Sequence, residues 1–345
     1  MDSLSQLVLG SALAAAAAPA RHRRAALLAG AALGTLPDLD GFVISAITSN
    51  PVHLMTWHRS ASHSLFLLPL LAWLIWWICK KRHGRVAQAP RAWLWAIFLP
   101  LFTHPILDAF TSYGTQLFWP LPVHPAMWSS VFIIDPAYTL WLLLAVIAAW
   151  WLRERRLAQQ LLMAGLIISS TYLAWSLAAK AMVDRAAQAA LAPLGLAEAP
   201  RFSVAAPFTS LLYRVVVMTP EGYLIGDRAV LADRGPLQFS AHRSDTAALQ
   251  AASHIPAVQR LNWFNRGYMR AQVRDDGLLV LSDLRMGIDP NYSFNFGVAR
   301  QAGQQWQALD MPMRVRASGP GALSRANLGM LWHGTWERAL RGTQG

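Results

Sequence analysis

Residues 92–110 read AWLWAIFLPLFTHPILDAF, and this stretch settles the class of the chain. Nineteen residues rising 1.5 Å each cover roughly 28 Å, close to a hydrocarbon core of about 30 Å. The run is apolar apart from Thr103, His104 and Asp108. Ionisable groups at membrane depth are expensive and are kept for function or for pairing. His104 and Asp108 stand four apart, so on a helix they lie one above the other and can grip the same ion.

Working outward, further apolar runs occupy residues 4–20, 25–36, 64–79, 136–152 and 157–179. Together they predict a mainly α membrane helical bundle of about six helices, some of them half-depth. The run at 25–36 covers only about 18 Å, unless it continues past Pro37 through residues 41–47. A change of composition near Pro193 divides the chain into a membrane helical domain, 1–190, and a small β-rich soluble domain, 191–345. The second part alternates strand-like segments, such as 212–218 and 278–281, with turn signals at Pro220, Asp276-Gly277 and Asp289-Pro290.

The chain carries 30 Lys and Arg against 18 Asp and Glu, a formal charge of +12. Such a balance can mark a nucleic-acid partner, but the distribution excludes that reading. Eleven of the fourteen cations before Pro193 fall in three clusters at helix ends: Arg21, Arg23 and Arg24; Lys80, Lys81, Arg82, Arg85 and Arg91; Arg153, Arg155 and Arg156. With six crossings the three clusters share one side, which the positive-inside rule makes cytoplasmic. The loops at 37–63 and 111–134 and the C-terminal domain are then periplasmic. The N-terminus lacks a basic segment before its apolar run and is expected to be retained. Cys79 is the single cysteine, so a metal here must be held by nitrogen and oxygen.

On the predicted periplasmic side lie Leu36-Pro37-Asp38-Leu39-Asp40, then His58-Arg59 with His63-Ser64, then His104 and Asp108. Asp38, Asp40, His58, His63, His104 and Asp108 are the candidate metal shell and its support. Carboxylate and imidazole suit a divalent metal, zinc above all. An ion with an open position lowers the pKa of its water towards 7. Five positions separate His58 from His63, so one of them is expected to stand behind the other. Spacing leaves open which of Asp38 and Asp40 ligates. His58 and Arg59 are the candidate catalytic pair, Arg59 steadying an anionic group such as a phosphate.

Simpler readings compete at several positions. A lone His104 would be a core histidine, and Arg59 an interfacial anchor. Asp135 before Pro136 has the form of a helix cap more than of a catalytic acid. His53 and His124 read as surface loop residues, and Trp73, Trp76, Trp77, Trp93 and Trp95 as an interfacial belt. Ser60, Ser62 and Ser64 lack the strained turn of a serine nucleophile.

These motifs resemble the bacterial YbcI/YdjM-like inner-membrane proteins, a family described as metal-dependent hydrolases. The likeness rests on Asp2-Ser3-Leu4, Leu36 to Asp40, His58-Arg59, His63-Ser64-Leu65-Phe66 and His104 to Thr111. It continues through Tyr113-Gly114-Thr115-Gln116 and Ile133-Ile134-Asp135-Pro136, covering roughly the first 180 residues. The later segment Ser282-Asp283-Leu284-Arg285-Met286-Gly287 looks like part of an extension found in a proteobacterial branch. The order of Asp, His and His-x-x-x-Asp is also similar to zinc-dependent phospholipase C and related nucleases. That analogy implies one ion held by Asp38 or Asp40, His63, His104 and Asp108. Many relatives carry a His in the first helix where this chain has Gln6, a departure that bears on a second ion.

The expectation is therefore a multi-pass enzyme of the bacterial inner membrane. It would be a metal-dependent hydrolase in the lipid bilayer, cleaving a phosphoester or other ester of a phospholipid or lipid-linked substrate at the periplasmic face. The alternative is a binding or regulatory membrane protein whose metal braces the helices. A transporter is the third option, disfavoured by the lack of an inverted repeat.

Overall fold

The first helix starts where Asp2 caps it, its carboxylate accepting from the Leu4 and Ser5 amides at 3.1 Å each. That helix, α1, runs Ser3–Ala17, and its small residues set its neighbour. α2 (Arg23–Thr35) approaches so closely that a Cβ built on Gly30 would lie 2.2 Å from the Gly10 carbonyl oxygen. One built on Gly34 would lie 2.4 Å from the Gln6 carbonyl oxygen. Glycine alone permits this contact between backbones, as in other close helix pairs in lipid. Pro37 ends α2, because it has no N–H to offer the carbonyls of the preceding turn. Residues Leu36–Leu39 form a 3-10 turn and the chain resumes as α3 (Asp40–Ile47).

The computed structural model describes residues 1–82, 84–303, 305–316 and 325–342. After α3 come α4 (Pro51–Trp57), α5 (Leu67–Lys81), α6 (Arg85–Gln88), α7 (Pro90–Ala109), α8 (Pro136–Leu152) and α9 (Arg156–Leu191). Among the described residues three helices are long and apolar enough to cross a membrane: Ala20–Ile47, Pro90–Ala109 and Arg156–Leu194. The pair Pro51–His63 and Leu67–Lys81 passes the same test jointly but bends by 57°, so the number rises to four if it is one broken span. Ser3–Ala17 and Pro136–Leu152 are apolar yet shorter. Length and composition thus establish a helical membrane part without fixing six crossings. Of the two readings open for the run at 25–36, half depth or continuation past Pro37, the chain follows the second, in a helical stretch of 28 residues.

One member of the expected tryptophan belt is not at the surface. Trp93 is buried and its indole N–H donates to His22 Nδ1 at 3.1 Å, whereas Trp73, Trp77 and Trp95 are exposed.

The chain divides into two units. The first comprises Met1–Val43, His58–Trp128 and Ile133–Ser176; the second comprises Ile44–Trp57, Ser129–Phe132 and Leu177–Gly345. In the second unit, β1 (Arg201–Ala205), β2 (Leu212–Thr219), β3 (Gly222–Ala229) and β4 (Ser240–Arg243) form an antiparallel sheet in that order. The helices α10 (Thr246–Ala251) and α11 (Pro256–Asn265) follow. Next are β5 (Met269–Val273), β6 (Leu278–Asp283), β7 (Gly287–Ile288), β8 (Asn291–Tyr292), β9 (Asn295–Ala302) and β10 (Gln305–Arg314), then α12 (Arg325–Arg341). The second sheet has the order β10-β9-β6-β5, and β7 and β8 make a two-stranded ribbon. The turns expected at Pro220, Asp276-Gly277 and Asp289-Pro290 fall between β2 and β3, β5 and β6, and β7 and β8. Gly277, at φ +74°, supplies the left-handed residue that the second of these needs. The three helices here carry no strong sequence signal.

The segment 282–287 has a structural role. Asp283 and Arg285 are both buried and pair through Arg285 Nη2 and Asp283 Oδ2 at 2.6 Å. Arg285 Nε reaches Asp283 Oδ1 at 2.9 Å, and its Nη1 reaches the Phe264 carbonyl at 3.3 Å.

Candidate metal centre

Three separate stretches of the first unit bring Asp38, His63, His104 and Asp108 together. One donor atom from each lies within 4.8 Å of all the others. Asp38 comes from the 3-10 turn that Pro37 forces. His63 ends the 3-10 turn Ala61–His63. His104 and Asp108 lie one turn apart on α7. His63, His104 and Asp108 are wholly buried, while the Asp38 side chain is 23% exposed.

The nitrogens His63 Nε2 and His104 Nε2 stand 3.1 Å apart. Asp38 Oδ1 is 3.4 Å from the first and 3.5 Å from the second. Asp108 Oδ2 is 3.2 Å and 3.5 Å from the same two atoms. Ligands bound at 2.0–2.1 Å around a tetrahedral zinc are separated by about 3.3–3.4 Å, and these five distances are close to that spacing.

Protonation strengthens the case. His104 Nδ1 lies 2.6 Å from the Gly34 carbonyl oxygen, an acceptor only, so Nδ1 carries the hydrogen and the neutral ring presents Nε2 bare. His63 Nδ1 is 2.9 Å from Ser62 Oγ, whose own hydrogen goes to Asp40 Oδ2 at 2.6 Å. That arrangement likewise leaves His63 Nε2 bare. Asp38 Oδ1 and Asp108 Oδ2 are buried without a hydrogen-bond partner. With both rings neutral, four acceptor atoms face one point, where a metal cation would relieve their mutual repulsion. The residues present fit a divalent metal held by nitrogen and oxygen.

The surrounding shell orients these groups as supporting residues commonly do around metals. Gln6 Nε2 donates to Asp108 Oδ1 at 2.9 Å and to the His104 carbonyl at 3.1 Å, and the Met1 amino group also donates to Asp108 Oδ1. Arg59 is 4% exposed, with Nε 3.1 Å from Asp108 Oδ2. Its Nη1 has no hydrogen-bond partner, and its guanidinium carbon sits 5.0 Å from the centre of the Tyr113 ring. The Arg59 backbone is left-handed at φ +62°, a conformation that costs a non-glycine residue about 1–3 kcal/mol. Two hydrogen bonds hold it there: Arg59 N donates to Asp40 Oδ2 at 3.0 Å, and the Arg59 carbonyl accepts from Gln116 N at 2.9 Å.

Asp40 and His58 therefore occupy a different place from the four. Asp40 Oδ1 is 2.6 Å from His58 Nδ1, and its other oxygen serves Ser62 and the Arg59 amide. Asp38 in the 3-10 turn and Asp40 at the start of α3 thus face different partners, and the cluster includes Asp38. His58 is half-buried, its ring 5.6 Å from that of Tyr113. Asp135 caps α8, accepting from the Ala137 amide at 3.1 Å, and takes the Tyr172 hydroxyl at 2.8 Å. In the second unit His53 stacks on Trp57; His124 is exposed. Gly34, Ser62 and Tyr113 escaped the reading of the sequence as site residues. Proximity to Pro37 was the available signal for Gly34, and for Ser62 its place beside His63.

The site and its helices define a membrane protein with a buried Asp-His-His-Asp cluster able to hold a metal ion. The model of the YdjM inner membrane protein family matches residues 1–183, more than half of the chain, and the protein belongs to that family. No curated protein and no solved structure matches it.

Proposed function

We propose that the protein is a metal-dependent hydrolase that cleaves a phosphoester or other ester of a lipid or lipid-linked molecule at the periplasmic face of the inner membrane. The observation that carries this reading is the group of converging ligand atoms: two imidazole nitrogens 3.1 Å apart, flanked by two buried carboxylate oxygens that accept no hydrogen bond. A bound dication, zinc by its donor set, would supply Lewis acidity and make water acidic near neutral pH. The chain's own residues do the rest. Asp38, the partly open member, marks the side of access. Arg59, with Nη1 unspent, pairs with an anionic oxygen of the substrate. His58, steadied through Nδ1 by Asp40, keeps its outer nitrogen to accept or return a proton.

The proposed topology is six crossings, with Ser3–Ala17 and Pro136–Leu152 spanning as short helices, the three basic clusters cytoplasmic, and residues 191–345 forming a periplasmic domain. Cation placement supports it. A cytoplasm-only reporter that is active when fused after Gly345 would overturn it.

A second reading, a binding or regulatory protein with a bracing metal, is favoured by one observation. Four protein donors, three of them wholly buried, suffice for a closed tetrahedral shell. The test is elemental analysis of detergent-purified protein, paired with hydrolysis assays on phospholipids and lipid-linked phosphoesters. The enzyme reading expects stoichiometric metal and turnover that Arg59→Ala lowers while the protein stays folded. Stoichiometric metal without turnover on any of these esters would decide for the bracing metal.

A further inference from the structure

The second unit holds another group of reactive side chains. On β4, at the edge of its sheet, Ser240 and His242 are two apart, so their side chains share one face. Ser240 Oγ lies 3.1 Å from His242 Nε2, and His242 Nδ1 lies 3.3 Å from Asp289 Oδ2. Asp289 stands at the turn between β7 and β8, where its Oδ1 accepts the Tyr223 hydroxyl at 2.7 Å. Tyr292 Oη is 3.4 Å and Arg270 Nη1 3.8 Å from that same oxygen. The Tyr223 ring also stacks on the imidazole, with centroids 5.2 Å apart and planes 10° from parallel. Burial pushes the Tyr223 phenol up to about 12, so it remains a donor at neutral pH.

Each contact constrains the histidine. Stacking fixes its plane, and the carboxylate on Nδ1 selects the tautomer whose Nε2 is a free acceptor. That acceptor faces a hydroxyl, which is the relation of base to nucleophile in serine hydrolases, with the carboxylate as the orienting third group. The Ser240 hydroxyl has the Ile225 carbonyl, at 3.2 Å, as its other acceptor, and rotation about one bond moves the hydrogen between the two. Ser240 is exposed, while His242 and Asp289 are 27% and 24% exposed, so the nucleophile is open and its partners are held.

All three residues line a cavity of about 500 Å³ whose walls also include Ile225, Phe239 and Ile288, a size suited to a small molecule. Its three arginines, Arg214, Arg228 and Arg338, are matched in number by Asp227, Asp233 and Asp289. Arg214 clasps Asp227 at 2.9 and 3.0 Å, and Arg338 clasps Asp233 at 2.9 and 2.7 Å. A cavity with mixed polar and apolar walls and no surplus positive charge suits a neutral carboxylic ester better than a phosphate.

We infer that Ser240, His242 and Asp289 form a second hydrolytic site, independent of the metal centre, which cleaves small neutral carboxylic esters through an acyl-serine. Ser240 Oγ bonds to the ester carbonyl carbon while His242 Nε2 takes the hydroxyl proton. The bond from that carbon to the alcohol oxygen then breaks, and His242 returns the proton to the departing alcohol. Water, deprotonated by His242, attacks the acyl group, and release of the carboxylic acid restores the serine. Asp289 holds the ring throughout.

The test uses full-length protein in detergent with an alkyl fluorophosphonate, which phosphonylates activated serines, followed by peptide mapping and p-nitrophenyl butyrate hydrolysis. Label is expected on Ser240, absent in Ser240→Ala, and slowed at least about 100-fold in His242→Ala and in Asp289→Asn. Chelation is expected to leave it unchanged. Asp289→Asn is nearly isosteric and keeps the test meaningful if the histidine variant does not fold. Wild-type protein unlabelled at Ser240 would overturn the inference, as would label on Ser240 that both partner variants leave at the wild-type rate. Label that disappears on chelation would overturn it too, by tying the serine to the metal centre.

Discussion

Each unit of the molecule buries charge, and it does so in opposite ways. In the second unit Asp283 and Arg285 face each other and the Phe264 carbonyl, so donors meet acceptors. In the first unit Asp38, His63, His104 and Asp108 turn acceptors towards acceptors, and the nearby Arg59 leaves Nη1 unused. A buried pair that closes on itself serves the fold. A buried group that does not close indicates something it is built to receive.

The largest effect should come from removing a member of the open group. His104→Ala or Asp108→Ala is expected to reduce metal from about one equivalent to below a tenth, since three remaining donors and a lost second shell cannot hold the ion. Mass spectrometry of purified protein measures this. If both variants retain full metal, the ion binds elsewhere and the contrast between the units fails.

Next in size is the closed pair. Arg285→Ala strands a buried carboxylate, which typically costs about 3–5 kcal/mol, and should be seen as a loss of stability in denaturant with metal content unchanged. Little loss of stability would mean that water reaches Asp283 and that the pair is less buried than its contacts indicate.

Much of the first unit is legible in the sequence because its signals are local and periodic. A nineteen-residue apolar run is legible without a structure, and so is the i, i+4 relation of His104 and Asp108. Turn residues located the β-hairpins of the second unit equally well, since Asp276-Gly277 and Asp289-Pro290 constrain the backbone directly. Roles fixed by contacts between distant segments were not legible. Asp38 and Asp40 look alike in sequence, and only the 3-10 turn after Pro37 sends one to the cluster and the other to His58. Gly34 became a partner of His104 because a proline three residues later left its carbonyl free. Trp93 resembles its belt neighbours until His22, 71 residues away, is seen to accept its N–H. Ser240 and His242 are two apart in an ordinary strand, and Asp289 comes from a separate ribbon.

A smaller effect should sharpen the comparison by loosening the open group without emptying it. Ser62→Ala and Asp40→Asn break the chain of hydrogen bonds that orients His63, and loss of such outer partners costs roughly 10–100-fold in metal affinity. Competition with a chromogenic chelator measures the change. Wild-type affinity in both variants would confine Asp40 to holding the Arg59 backbone and His58.

The smallest effect belongs to Asp135, which tests whether burial of an acid in this unit is enough to implicate it. Its carboxylate is committed to the Ala137 amide and the Tyr172 hydroxyl, so it resembles the Asp283 pair more than it does Asp108, although it shares a unit with the latter. Asp135→Ala is expected to cost about 1 kcal/mol, as removal of a helix N-cap does, and to leave metal content and affinity unaltered. A thermal shift in detergent read beside a chelator titration separates the two effects. Loss of metal from this variant would show that hydrogen-bond closure does not distinguish structural acids from ligand-holding ones here, because an acid with both oxygens satisfied would then be shaping the centre.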